Sequence, residues 1–492
     1  MSPTLIIGLI LGYFCILIFI SYLTSRNTDS ETFFLANRSS PWYVVAFGMI
    51  GTSLSGVTFV SIPGMVAGAQ FSYLQFVMGY LLGYLVIATV LMPLYYRMNL
   101  VSIYTYLEDR FGWWSYKTGA AFFLLSRTLG AAIRLFLIAG VLQLAVFDEL
   151  GIPFSVSVLI TIALIWVYTF RGGMKTIIWT DTFQTTAMLT AVGITIWLIS
   201  DELNLGFQGI VDTITASDYS QVFFWDGKDS KNFFKQFFSG AFITIVMTGL
   251  DQDMMQKNLS CKNIGEAQKN MFWFSIILFV VNILFLSLGA LLYIYAQAKG
   301  ITLPERGDDV FPFLALNHFS AFAGIVFILG IIAITYASAD SALTALTTSF
   351  CVDFLNFKDR PEQERVRLRY LVHGGISLVM GLVIIVFELL NNDSVVTAVF
   401  KVAGYTYGPL LGLYAFGIYT KRAVRDRLVP AVCIIAPLLT FIISYNSADW
   451  FWGYEFGFEV LILNGFLTFV GLMAVSAGRI DELELAREQQ TA

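Results

Sequence analysis

Residues Ile331 to Leu355 read IIAITYASADSALTALTTSFCVDFL, and the rest of the chain is best read outward from them. The stretch is apolar enough to cross a membrane as a helix, yet its middle carries Ser338, Asp340, Ser341, Thr344, Thr347 and Thr348. At about 100° per residue these oxygens occupy roughly half the helix circumference, and Ala and Leu occupy the rest. A carboxylate at membrane depth costs on the order of 3 kcal/mol, so it pairs or faces a polar cavity. Hydroxyls beside a carboxylate are hard oxygen donors suited to a small cation. Single hydroxyls in such a helix also serve as small packing groups that bond back to their own backbone. Taken together, the cluster points to an ion site inside a membrane.

The 492 residues are 57% hydrophobic and 13% charged, with a mean hydropathy of +0.74. A soluble chain carries about 25% charged residues, so this composition is that of an all-α polytopic membrane protein. The net charge of −5 is confined to loops and gives no footing for a nucleic-acid partner. Cys15, Cys261, Cys351 and Cys433 are scattered without a CxxC pair and read as reduced, buried small hydrophobes. The first apolar run, Leu5 to Leu23, lacks a basic start and a small-residue cleavage motif, and reads as a retained helix.

About thirteen apolar runs are long enough to cross ~30 Å of hydrocarbon. They lie near 4–24, 42–69, 71–97, 117–147, 152–169, 177–200, 234–256, 270–298, 319–355, 366–390, 394–419, 428–445 and 455–476. Lys and Arg gather in alternate loops: Arg26 and Arg38, Arg97 to Lys117, Arg171 and Lys175, Lys257 to Lys269, Lys358 to Arg369, Lys421 to Arg427, and Arg479. The intervening loops at 68–70, 148–149, 391–393 and 446–449 hold almost none. This asymmetry places the N-terminus outside and the C-terminus in the cytoplasm of a cell (cytoplasmic) membrane.

Two runs look interrupted. Gly48 to Thr58 reads GMIGTSLSGVT and is followed by Pro63-Gly64, while the seventh run contains Thr248-Gly249-Leu250-Asp251-Gln252-Asp253. Such series let a helix unwind where the freed backbone lines protein or a polar cavity. The two lie about 190 residues apart, each opening a five-helix group, which suggests an internal inverted repeat. The expected organisation is an extra helix at 1–30, repeats at 42–200 and 234–421, flanking helices at 427–476 and a cytoplasmic tail at 477–492.

No P-loop, HExxH, GxSxG or zinc-deaminase constellation is present, and the two histidines, His318 and His373, lie far apart. An enzyme is not expected, which leaves transport, with a membrane receptor as the rival. Four stretches then carry a resemblance. They are Arg171 to Gln184 (RGGMKTIIWTDTFQ), Gly249 to Gln252 with Gln256-Lys257 and Gly265 to Lys269, Ile334 to Asp353, and Gly404 to Gly412 (GYTYGPLLG). Together these resemble the sodium/solute symporters, the family of sodium-coupled sugar, proline, iodide, monocarboxylate and sialic acid carriers.

The resemblance implies a five-plus-five inverted-repeat (LeuT-like) core working by alternating access, with sodium as coupling ion and no other cofactor. It implies a first sodium between the carbonyls of Gly51 and Leu54 on the broken helix and Ile334, Ala337 and Ser338 on the eighth core helix. Ala337 departs from the family's usual serine and removes one ligand. In some members a second sodium lies nearer the cytoplasm, at positions held here by Asp181, Asp340 and Ser341, with Thr344 one turn on. Proton coupling through the two aspartates is the alternative. For the small organic solute, the resemblance selects Ser53, Ser55, Thr58, Tyr73, Gln75, Met247 and Asp251. Arg127 and Arg134, seven residues apart, share a helix face and suit a carboxylate if they are not spent on a structural pair with Asp251 or Glu388.

Overall fold

The computed structural model describes residues 3–24, 36–169, 174–355, 360–390 and 395–479. The Arg171 to Gly173 part of the first resemblance motif, the 391–393 loop, Arg26, Lys358 and all of the expected tail after Arg479 lie outside them. Eight helices are long and apolar enough to cross a membrane, and two bent pairs bring the number to ten. Four shorter apolar helices, Phe154–Thr169, Val395–Thr406, Gly408–Tyr419 and Val460–Ala474, occupy the other expected spans. The expected run at 394–419 is thus two helices that meet at Tyr407.

Both expected interruptions are present. Trp42–Ser53 and Gly56–Ala69 meet at 57° across Leu54 and Ser55, which are extended at ψ 93° and 177°. Pro63 is not the breaker, because the second half runs through it. Phe233–Gly249 and Gln252–Leu259 meet at 65°. The turn before that bend, Ile245–Gly249, is π-helical, a loosened geometry common at functional sites. The Asp251 carboxylate then caps the new helix, accepting from the N–H of Asp253 at 3.0 Å and of Met254 at 3.4 Å.

Four packings place the site. Met174–Glu202 lies between Ala321–Ser349 and Trp42–Ser53, and Tyr73–Val86 lies along Phe233–Thr244. Trp113–Leu142 touches Ala321–Ser349, Glu362–Leu390 and Val395–Thr406, and Gly408–Tyr419 packs on Val460–Ala474. One departure from an all-helical chain is a two-stranded antiparallel ribbon, Arg422–Val424 with Ser476–Arg479. Beside it the Asp426 carboxylate accepts from the N–H of Trp114 and of Ser115, both at 2.8 Å, and so caps Trp113–Leu142.

The Tyr73–Val86 and Phe233–Thr244 helices approach until backbone meets backbone. A Cβ at Gly79 would fall on the Phe237 carbonyl, and one at Gly240 on the Phe76 carbonyl. Gly193, in mid-helix, has nothing within 4 Å of its notional Cβ. Gly79→Ala or Gly240→Ala is therefore expected to destabilise by about 1–3 kcal/mol. Gly193→Ala should be neutral or stabilising by up to ~1 kcal/mol. Thermal unfolding of the purified variants in detergent checks the contrast; equal melting temperatures for all three would refute the close approach.

Candidate functional site

Where the first broken helix opens, a cavity of about 90 Å³ lies against Trp113–Leu142, Tyr73–Val86, Phe233–Gly249 and Val395–Thr406. Of the substrate residues expected from sequence, Ser53, Ser55, Thr58, Tyr73, Arg134 and Met247 line it. Gln75 does not. Its amide nitrogen donates to the Lys231 carbonyl at 2.8 Å and its oxygen accepts from the Phe224 N–H at 3.1 Å, so it anchors the segment before Phe233. Asp251 also lies outside the lining, occupied by its cap and by the Tyr407 hydroxyl, which donates to Oδ2 at 2.6 Å.

The two arginines have separate lives. Arg127, 4% exposed, pairs with Asp253 through Nη2, and its Nη1 lies 3.9 Å from Asp251 Oδ2. Arg134, half-buried on the cavity wall, has no ion pair or hydrogen-bond acceptor among the described residues. Glu388 pairs with neither.

Beneath the cavity the polar groups form a network. Ser341 Oγ donates to Asp253 Oδ1 at 2.6 Å. Lys257, one turn after Asp253 and 1% exposed, donates to Asp181 Oδ2 at 2.6 Å and to Thr52 Oγ1. Thr52 in turn donates to the same Asp181 oxygen at 3.0 Å. Sequence reading put Lys257 in a basic loop. It lies instead at the heart of the protein, because Gln252–Leu259 is a wholly buried half-helix. Asp181 accordingly has Lys257 as its direct partner, while Asp340 Oδ1 accepts from the Ser341 N–H at 2.6 Å.

At the first expected sodium position, the Leu54 N–H still donates to the Ile50 carbonyl at 2.8 Å, and the break beyond it leaves the carbonyls from Gly51 to Ser53 without helical partners. A Cβ at Gly51 would meet Thr185 Oγ1, and one at Gly56 would meet Thr335 Oγ1, so hydroxyl-bearing helices crowd both flanks of the break. Ile334 and Ala337 are fully buried there, and Ser338 Oγ donates to the Thr335 carbonyl at 3.0 Å. The hydroxyls of Thr185, Thr335 and Thr344 and Asp181 Oδ1 are buried without hydrogen-bond partners among the described residues. Orphaned hard oxygens around an unwound helix fit a small cation.

Sequence reasoning missed Tyr80, Tyr84 and Asn282 in the lining. Tyr80 and Tyr84 follow Tyr73 by seven and eleven residues, a spacing that puts all three on one face, and the hydroxyls of Tyr73 and Tyr80 lie 2.9 Å apart. A polar residue inside an apolar span was the signal for Asn282.

Removing one partner of a buried ion pair leaves the other charge uncompensated, at about 3–5 kcal/mol. Arg127→Gln should therefore lower stability by that order, and Arg127→Gln with Asp253→Asn should recover part of it. Denaturation midpoints in detergent decide; additive losses would show that the pair is not coupled.

A model of the sodium:solute symporter family matches residues 33–426. The sodium/sialic acid symporter NanT of Aliivibrio fischeri is 27% identical over 493 residues, covering 96% of this chain and 94% of that protein. The sodium/sialic acid symporter SiaT of Proteus mirabilis is 24% identical, covering 90% of each. Human sodium-coupled monocarboxylate transporter 1 is 26% identical, over 82% of this chain and 67% of its own. Among solved structures, a substrate-bound, outward-open sodium-coupled sialic acid symporter superposes with a TM-score of 0.80 at 19% identity, covering 96% of this chain and 99% of that one. A closed nucleobase-cation-symport-1 family transporter superposes with a TM-score of 0.54 at 12% identity, covering 91% and 96%. The fold is the five-plus-five inverted-repeat, LeuT-like arrangement expected from sequence. The chain belongs to the sodium:solute symporter family, and its activity is sodium-coupled carriage of a small organic solute across a membrane rather than catalysis.

Proposed function

We propose that the solute is a carboxylate and that Arg134 receives it. The observation that carries this reading is the contrast between the two arginines: Arg127 is spent on Asp253, whereas Arg134 faces the cavity without a partner. A half-buried cation in a low-dielectric wall favours an anionic ligand, and the guanidinium fork binds a carboxylate through two parallel hydrogen bonds. Ser53, Ser55, Thr58, Tyr73 and Asn282 add hydroxyls and an amide for the rest of a polar solute, and Met247 supplies an apolar contact. Sialic acid and monocarboxylates, named for the relatives, are both of this class.

Coupling in this reading uses a first sodium at Gly51, Leu54, Ile334 and Ser338, with Ala337 giving only its backbone. A second cation position draws on Asp181, Asp340, Ser341 and Thr344. Around this centre the buried carboxylates of Asp181, Asp251, Asp253 and Asp340 stand against the buried cations Arg127 and Lys257. That acidic excess favours cation uptake. Repeats at 42–200 and 234–421 rock about this centre. With the N-terminus outside a cytoplasmic membrane, the cavity opens outward and the Arg127–Asp253 and Lys257–Asp181 pairs close the inner side.

Uptake of labelled solutes into proteoliposomes, with and without an inward sodium gradient, tests the substrate class. Carboxylates should compete and neutral sugars should not. Arg134→Lys should weaken apparent affinity by about tenfold or more, since the fork is lost while the charge stays. Full competition by neutral sugars would overturn the assignment.

For the first sodium, Ser338→Ala should raise the half-saturating sodium concentration severalfold at unchanged expression. Sodium dependence identical to that of the unmodified protein would exclude Ser338 as a ligand.

A further inference from the structure

Lys257 is a cation that cannot leave the protein. It sits on the half-helix Gln252–Leu259, 1% exposed, against a fully buried Asp181. Its Nζ stands 2.6 Å from Asp181 Oδ2 and also donates to Thr52 Oγ1. The Thr52 hydroxyl donates to the same carboxylate oxygen at 3.0 Å. Ammonium, hydroxyl and carboxylate therefore close a triangle in which Thr52 has spent its donor and one lone pair.

The triangle lies on the first broken helix itself. Thr52 falls between Gly51 and Ser53 in the last turn before the break, and it lines the solute cavity. Met174–Glu202 comes so near that a Cβ at Gly48 would lie 3.2 Å from that of Asp181. A carboxylate buried at that depth needs a positive partner. A sodium ion on the same carboxylate would lie within a few ångströms of the ammonium, and like charges that close repel. Lys257 and a second sodium are therefore alternatives at Asp181.

We propose that Lys257 is itself the cation at the second position, a tethered ammonium in the place of a free ion, so that this carrier moves one sodium with each solute. This rests on the reading of Asp181 as part of a cation position and of Gly51, Leu54, Ile334 and Ser338 as the first sodium site. It settles on what fills the second position and leaves the first unchanged. A free ion would be bound and released in every cycle. An ammonium on Gln252–Leu259 can only swing toward or away from Asp181 as that half-helix moves. Thr52 meets both members of the pair one residue from Gly51, so withdrawal of Lys257 is felt at the first sodium. A singly charged carboxylate would then travel with no net charge.

The test counts labelled sodium bound to the purified protein at saturation, beside the Hill coefficient of sodium-dependent thermal stabilisation; neither needs the solute. The unmodified protein should bind about one sodium, with a Hill coefficient of about one. Lys257→Met leaves Asp181 without its cation, and the count should rise to about two. Lys257→Arg keeps the charge, and Lys257→Met with Asp181→Asn removes both charges, so each should hold the count at about one. Where the single Met variant does not fold, the count on the unmodified protein decides. A count of about two on the unmodified protein, or a folded Lys257→Met variant that stays at about one, overturns the role of Lys257 and leaves the first site standing. An unmodified protein that binds no sodium overturns the parent reading, and this inference falls with it.

Discussion

Two spanning helices are broken inside the membrane, and every backbone group released by those breaks must find a partner in the protein. At the second break the accounting is visible. Tyr95 Oη donates to the Gly249 carbonyl at 2.8 Å and Tyr104 Oη to that of Leu250 at 2.9 Å, while Asp251 caps the helix that restarts. Gln252 fastens the half-helix to the 101–103 backbone, donating to the Val101 carbonyl at 2.7 Å and accepting from the Ile103 N–H at 3.0 Å. Tyr414 Oη donates to the Ile103 carbonyl at 2.8 Å, which ties the Gly408–Tyr419 helix to the same point. Among the described residues no such set of hydroxyls bonds to the carbonyls of the first break, where the proposed first sodium would take their place.

The half-helix that follows the second break carries the charges that bind the core together. Asp253 reaches Arg127 and Ser341, and Lys257, four residues on, reaches Asp181 and Thr52. One short segment thus connects Trp113–Leu142, Ala321–Ser349, Met174–Glu202 and the first broken helix. A buried ion pair contributes little net stability against a well-packed apolar alternative, so these pairs are better understood as setting arrangement than strength.

Much of this was legible in the sequence, for reasons that can be named. The spans followed from hydropathy, and the breaks from Gly48, Gly51 and Gly56 and from the Gly249 to Asp253 run, since glycine and small polar residues favour unwinding at depth. Gly79 and Gly240 gave no such warning, because a close helix approach depends on a partner far away in the chain. The fate of Arg127 was open for the same reason: one helix shows a charge but not what stands across from it. Lys257 misled because loop charges and buried charges look alike in a linear count. Gln75 misled because its position at the start of a cavity-lining helix says nothing of the 224–231 segment that folds back onto it.

The separation of roles between the arginines explains how one cavity can serve both recognition and coupling. Arg127 and Arg134 stand two turns apart on one helix face, and both reach the cavity lining. Had both been free, the wall would carry two positive charges at close range and would oppose sodium arriving at the break in the first helix. Because Asp253 pairs with Arg127, Arg134 presents a single uncompensated charge to the cavity, where the proposed carboxylate would meet it. In the proposed reading, a carboxylate that neutralises Arg134 would lower the repulsion felt by a cation at the position proposed beside Gly51 and Leu54. Sodium in place would in turn favour the anion, and by thermodynamic reciprocity each would tighten the other by the same factor.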